Sequence, residues 1–167
     1  MTVDPALSHR LRFLLRVVRR ESDHLKLTDS RLFSEPFTIH RAERLLVDLD
    51  LAERVEAFLG RFARLQDTLG DKLLPSVLGA LGEKAGAAID NLDLGERLGF
   101  IDSVDDWFAM RALRNQMVHE YVEDLAILTS ALQSAHRFVP SLLAAVVAIE
   151  QEAVRRHWFE NPEAADK

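Results

Sequence analysis

The stretch RNQMVHEY, residues 114–121, is a polar cluster set inside an otherwise apolar helical run, and we predict that the fold is organised to present it. Arg114 brings a planar guanidinium group with five donors, and Asn115 brings an amide. His119 titrates near neutrality, and Tyr121 carries a phenol. Together these groups are suited to binding a phosphate and moving a proton beside it.

The spacing of these residues indicates a site built by two chains. At about 100° per residue, Asn115 and His119 lie one turn apart on one face of a helix, and Arg111 extends that row by a turn. Arg114 and Tyr121 form a second row, so that Arg114 lies about 140° round the helix from His119. One helix cannot easily bring both to one small group, whereas two copies crossing in a two-fold dimer can.

The motif of Arg, Asn, three residues, His, one residue and Tyr resembles the signature of HEPN domains. These all-α proteins are paired with minimal nucleotidyltransferases (MNT) in bacterial toxin–antitoxin operons. The segments FLGRFARLQDTLGDKLLPSVL (58–78) and ERLGFIDSVDDWFAMRALRN (96–115) are also similar to that family. The resemblance therefore covers roughly residues 47–139.

The resemblance implies an up-and-down bundle of four to five main helices and a metal-independent endoribonuclease toxin. In such a protein a two-fold dimer forms the cleft, Arg114 and His119 are catalytic, and Asn115 is the polar residue beside them. It also implies that an MNT-type antitoxin blocks the toxin by attaching AMP to Tyr121. An alternative is a non-catalytic HEPN subunit that binds the nucleotidyltransferase and presents Tyr121 or another substrate. A plainer alternative is a helical interaction protein.

Composition favours one cytoplasmic domain. With 167 residues and 48% hydrophobic content, residues 1–160 are enough for a single helical domain, followed by a frayed tail at 161–167. There is no cysteine, no pattern typical of a signal peptide, and no apolar run longer than 141–149, so we expect no membrane segment. Because 27 acidic residues outnumber 21 Lys and Arg, net charge does not attract RNA, and local charge must do so.

Helical periodicity predicts the elements around the motif. We expect a first helix over 5–27, a loop over 28–36, and a long helix from 39 that bends near Asp50, with a third helix near 75–81. Glycines predict a partly irregular crossing over 82–95. Ser103 should cap the motif helix, and a bend at 122–124 should lead into a last helix that ends near His157 and is kinked at Pro140.

Three further arginines are possible substrate-binding residues. Arg111 lies on the motif helix, while Arg61 and Arg64 form a charged row with Asp67. Two interpretations of this row stay open: ordinary surface charge with an Arg64–Asp67 helix pair, or a cleft wall opposite the motif. The remaining histidines are scattered without metal-ligand spacing, so we expect neither a metal nor a cofactor.

Overall fold

The computed structural model describes residues 3–120 and 123–159, and of residues 119 and 120 it describes the backbone alone. The α-helices are α1 (Pro5–Leu32), α2 (Ile39–Glu43), α3 (Leu49–Asp67), α4 (Leu74–Ala80), α5 (Ala88–Arg97), α6 (Val104–Glu120) and α7 (Leu125–Arg155). A 3₁₀ turn (Arg44–Leu46) follows α2, and a π-helical segment (Thr68–Leu73) joins α3 to α4. These ranges contain no strand, and the all-α prediction is confirmed.

The long helices bury their apolar stripes in one core. Helix α1 packs on α3 and α7, α6 packs on the same two helices, and α5 packs on α4 and α6. The largest side chains in this core are aromatic: Trp107, Phe37, Phe58 and Phe62. The motif helix α6 is therefore held between α3 and α7.

The first helix is longer than periodicity predicted. Residues 28–32 are helical, and the predicted loop begins only after them. Leu32 is fully buried and continues the apolar stripe, and the Phe33 amide donates to the Asp29 carbonyl at 3.0 Å to close the last turn. The polar sequence TDS, residues 28–30, had favoured a loop. In the structure Thr28 is buried in the helix, because its hydroxyl accepts a hydrogen bond from the guanidinium group of Arg61.

The predicted irregular crossing over 82–95 is also wrong in part, because α5 begins at Ala88. Asn91 fixes the preceding turn, since its side chain accepts from the Gly86 amide at 2.8 Å and donates to the Gly86 carbonyl at 3.2 Å. Gly99 ends the segment in a left-handed conformation, with φ of 81°. The irregular part of the crossing is correspondingly short.

The π-helical segment follows from the spacing of buried residues. From residue 62 the buried positions include two rows at four-residue spacing, one at 62, 66, 70, 74 and 78 and the other at 65, 69, 73 and 77. In an α-helix each such step drifts by about 40°, so four steps would turn the stripe by about 160° and expose its end. A π turn holds more residues than an α turn. The π-helical segment Thr68–Leu73 therefore offsets this drift and keeps the buried residues facing the core.

Polar side chains fix where α6 and α7 begin. Ser103 Oγ accepts from the Asp106 amide at 3.1 Å, which confirms the predicted cap, and Glu96 from α5 accepts from the Val104 amide at 2.6 Å. Asp124 caps α7 by accepting from the Ala126 amide at 3.0 Å. The bend predicted at 122–124 lies partly outside the described residues, and α7 continues through Pro140 to Arg155.

Helix α7 is long and apolar enough to cross a membrane if length and composition are the only criteria. Its buried residues recur every three or four positions and face the core, as in the central helix of a globular fold. Examples are Leu128, Leu132, Leu142 and Ile149. The helix thus has a place inside the protein that accounts for its apolar composition.

Gly70 lies in the π-helical segment against the Trp107 indole, and we expect Gly70→Ala to destabilise the fold. An added Cβ would lie 3.0 Å from Trp107 Cζ2, and that indole is enclosed in the core. Overpacking of this kind typically costs about 1–3 kcal/mol. Gly60→Ala in α3 is the matched control, because nothing lies within 4 Å of its added Cβ and the change favours a helix. Equal free energies of unfolding for the two variants, measured with denaturant, would contradict this packing.

Candidate functional site: the arginine-bearing face of α6

Arg114 forms an ion pair with Asp67 at the end of α3, through Nη1 and Oδ1. The Arg114 side chain is 23% exposed, so its guanidinium group lies at the protein surface with one edge occupied by the carboxylate. An arginine has five donors, and a single carboxylate contact leaves most of them available. The ion pair therefore positions Arg114 while leaving part of it able to contact an anion.

Arg111 repeats this arrangement one turn earlier on α6. Its Nη2 lies 3.3 Å from Asp71 Oδ1, in the π-helical segment. Because the pairs are 114 with 67 and 111 with 71, the two helices run in opposite directions where they meet. The two arginines consequently share one edge of α6, the edge that faces α3.

A polar layer lies beneath these two ion pairs. Gln66 is fully buried and its Nε2 donates to the Trp107 carbonyl at 2.9 Å. Gln66 Oε1, Trp107 Nε1 and Arg111 Nε are buried with no hydrogen-bond partner among the described residues. Unsatisfied buried groups cost free energy, so an apolar layer would stabilise this contact better. Buried polar groups without a hydrogen-bond partner are more frequent near functional sites than elsewhere in a protein.

Asn115 and His119 lie on other parts of α6. Asn115 is exposed, and Phe108 and Val118 on α6 are 38% and 60% exposed. The His119 backbone continues the helix, its side chain is outside the description, and Tyr121 lies outside the described residues. Arg114 and Asn115 therefore face different surroundings, the first an acid on α3 and the second the solvent.

Neither arginine of the α3 row joins the motif. Arg61 Nη1 donates to the Thr28 hydroxyl and, at 3.2 Å, to the His24 carbonyl, so it ties α3 to α1. Arg64 is exposed and makes no ion pair with Asp67 in the described structure, which corrects the predicted helix pair. Asp67 pairs across to α6 instead. The structure thus brings Arg111 and Arg114 together and leaves Arg61 on the α1 side.

Arg64 contributes to a separate group of charges against α1. Burial raises the pKa of the Glu21 carboxyl, and the Thr68 hydroxyl 3.1 Å away and the positive charge of Arg64 oppose that rise. Glu21 Oε2 is buried without a partner in the described ranges. This group connects α1 to the π-helical segment.

The acids that hold the motif arginines were missed by the sequence-based reasoning. Asp67 and Asp71 are four residues apart, and that spacing places both carboxylates on one face of a helix. The spacing matches Arg111 and Arg114, which are three residues apart on α6. The similar spacing of the acids and the arginines predicts two ion pairs only if α3 and α6 are already known to be neighbours.

The described residues contain no group of three or more His, Asp or Glu side chains arranged to hold a metal ion. Of the histidines described, His136 has a structural contact, because its Nδ1 lies 2.7 Å from Asp29 Oδ1 and its ring stacks on Phe33 at 4.1 Å. This contact ties α7 to the end of α1.

Comparison of the chain with known protein families, with characterised proteins and with solved structures finds no match. The function must therefore be argued from the residues and their geometry.

The two ion pairs should contribute little to stability. Both are partly exposed, and such pairs typically contribute about 0–1 kcal/mol. In a double-mutant cycle with Arg114→Gln and Asp67→Asn, we expect a coupling below about 1 kcal/mol that falls as salt is added. The Arg111→Gln and Asp71→Asn cycle is the matched comparison and should give a smaller value, because both of its side chains are more exposed. A coupling of several kcal/mol at Arg114 would mean that the pair is mainly structural.

Proposed function

We propose that this protein is a metal-independent endoribonuclease of the HEPN type, acting in the cytoplasm as a toxin opposed by an MNT-type antitoxin. The observation that carries the proposal is the RNxxxHxY spacing, whose arginine is held at the protein surface on a single helix, α6, by Asp67. Arg114 retains free donors there, and Asn115 beside it is exposed. An available guanidinium group and a histidine in the same motif suit cleavage of RNA.

A two-fold dimer is part of the proposal, with each chain an up-and-down helical bundle. On α6 the positions 114 and 119 are separated by about 140°, so one chain alone does not direct both at one phosphate. The face of α6 turned away from the core carries the exposed Phe108 and Val118, the kind of apolar surface that a second copy buries. In such a dimer, Arg114 of one protomer approaches His119 of its partner.

The chemistry proposed uses the ribose 2′-hydroxyl as the nucleophile. His119 accepts its proton as the oxygen attacks phosphorus, and the P–O bond to the 5′ oxygen breaks after that oxygen gains a proton from the second His119. Arg114 binds the phosphate oxygens and stabilises the charge that develops on them, while Asn115 orients the histidine or the phosphate. The products are a 2′,3′-cyclic phosphate and a 5′-hydroxyl.

A second candidate function is a non-catalytic subunit that binds the nucleotidyltransferase and presents Tyr121 to it. The observation that favours it is the same ion pair, because Asp67 partly neutralises the arginine that a nuclease needs for its phosphate. The molecule's formal charge of −6 points the same way, since it does not attract RNA. This alternative predicts stable binding to the transferase, AMP on Tyr121 and no cleavage.

His119→Ala should remove cleavage. Loss of a general acid or base typically costs about 10²- to 10⁴-fold in rate, so a mixed RNA incubated in EDTA should be cleaved by the parent protein and remain intact with the variant. His9→Ala is the matched control, because His9 is exposed on α1. Equal cleavage by all three proteins would remove His119 from the mechanism. No cleavage by any of them, with Tyr121 unmodified, would favour the transferase-binding subunit.

Arg114→Lys tests geometry at constant charge. Lysine cannot reproduce a two-donor contact with phosphate, so kcat/KM should fall by about 10²-fold, the usual effect of losing one oxyanion donor. Arg97→Lys, an exposed position at the end of α5, supplies the control and should keep full activity. If Arg114→Lys retained full activity, Arg114 would act only through its charge.

A further inference from the structure

A polar cavity of about 260 Å³ lies at the opposite end of α3 from the motif. It is lined by three structural segments: the loop after α1, the stretch from α2 through the 3₁₀ turn, and the first turns of α3. Its charged lining residues are Glu35, Arg41, Arg44, Asp48, Asp50 and Arg54. Arg54 and Asp67 are separated by 13 residues of helix, which is about 20 Å, so this cavity is distinct from the α6 site.

Arg41 is the buried member of the cavity lining, with only 9% of its surface exposed. Its Nη1 donates to the carbonyl oxygens of Leu32 and, at 2.9 Å, of Glu35, and its guanidinium group lies over the Phe37 ring. Its Nε and Nη2 have no partner in the described part of the chain. Two nitrogen atoms of a nine-tenths buried cation are thus left without an acceptor.

Two more arginines converge on this cation. Burial lowers the pKa of Arg41, the negative charge of Glu35 opposes that, and the positive charges of Arg54 and Arg44 lower it further. Arg44 donates to Asp48 at 2.9 Å, whereas Arg54 is half-buried and makes no hydrogen bond or ion pair to any residue described. Glu35 and Asp48 offset part of the repulsion among these cations, and an anion bound between Arg41 and Arg54 would offset more of it.

The acidic residues of the lining do not fill that role. Asp48 is committed to Arg44 and to the start of α3, where it accepts from the Leu51 amide at 3.0 Å. Glu35 and Asp50 are exposed, and their carboxylates make no ion pair within the described ranges. They therefore lie at the solvent-facing rim, where water and salt screen them more than the buried Arg41.

We propose that Arg41, Arg44 and Arg54 form a binding site for a compact oxyanion of the phosphate type. Arg41 and Arg54 donate to its oxygens, and the positive end of the α3 helix dipole adds to the attraction. The volume holds a single phosphate group with part of its substituent, and the acidic rim opposes a polyanionic chain. The site goes beyond the proposed nuclease and does not depend on it. The source of the anion is free phosphate or the terminal phosphate of a nucleotide.

A titration of the ¹⁵N-labelled full chain with inorganic phosphate, at ionic strength held constant with sodium chloride, tests this site. We expect saturable shifts of the Asp50 and Leu51 amides. Arg54→Gln should weaken the affinity at least about tenfold, as loss of a charged hydrogen bond does. Arg97→Gln, an exposed arginine on α5, makes the same change in net charge and should bind like the parent. Arg54 is chosen over Arg41 because the Arg41 contacts hold the end of α1.

Shifts that do not saturate, or equal affinities for the Arg54→Gln and Arg97→Gln variants, would overturn the proposal. A nucleoside 5′-monophosphate titrated in parallel identifies the source, since tighter binding than inorganic phosphate assigns the terminal phosphate of a nucleotide. The proposal would also be overturned if a short RNA without a terminal phosphate bound while inorganic phosphate caused no shifts. That result would indicate a surface that binds a polynucleotide backbone. The outcome is independent of the cleavage assay with His119→Ala.

Discussion

The contact between the Trp107 indole and the Gly70 backbone sets the distance between α3 and α6, and the position of the motif arginines depends on it. The indole is enclosed in the core and lies where a Cβ on residue 70 would meet it at 3.0 Å. Gln66, one turn before Gly70, donates to the Trp107 carbonyl. Because these contacts fix α6 against α3, Asp67 and Asp71 reach the two arginines of the motif helix.

The Arg114–Asp67 pair would have two opposing effects on the phosphate binding proposed for this site. It restricts a flexible side chain, and this lowers the entropy that a ligand must later remove. It also places a negative charge beside the site, so an incoming phosphate is repelled by the group that orients its partner. Partial exposure weakens the second effect, because solvent screens the carboxylate. The balance favours binding where a second cation joins the site, and Arg111 lies one turn away.

The sequence allowed a prediction of some of the features that depend on local chemistry. Ser103 as the cap of α6 followed from the position of its hydroxyl just before the first turn of that helix. What could not be predicted depends on pairs distant in sequence. The Asp67–Arg114 contact spans 47 residues, and Thr28 remained helical because Arg61 from another helix satisfies it. The π-helical segment was not predicted either, because the four-residue spacing of its buried residues includes the polar Gln66 and depends on the packed core.

The proposed dimer would explain two features of α6, its exposed apolar side chains and the partial neutralisation of Arg114. The exposed Phe108 and Val118 would cost less if another apolar surface covered them. Asp67 partly neutralises Arg114, and a partner's positively charged motif residues would restore the local field that a phosphate needs. Burial of the apolar face and completion of the charge arrangement then come from the same association, so catalysis would be confined to the assembled dimer.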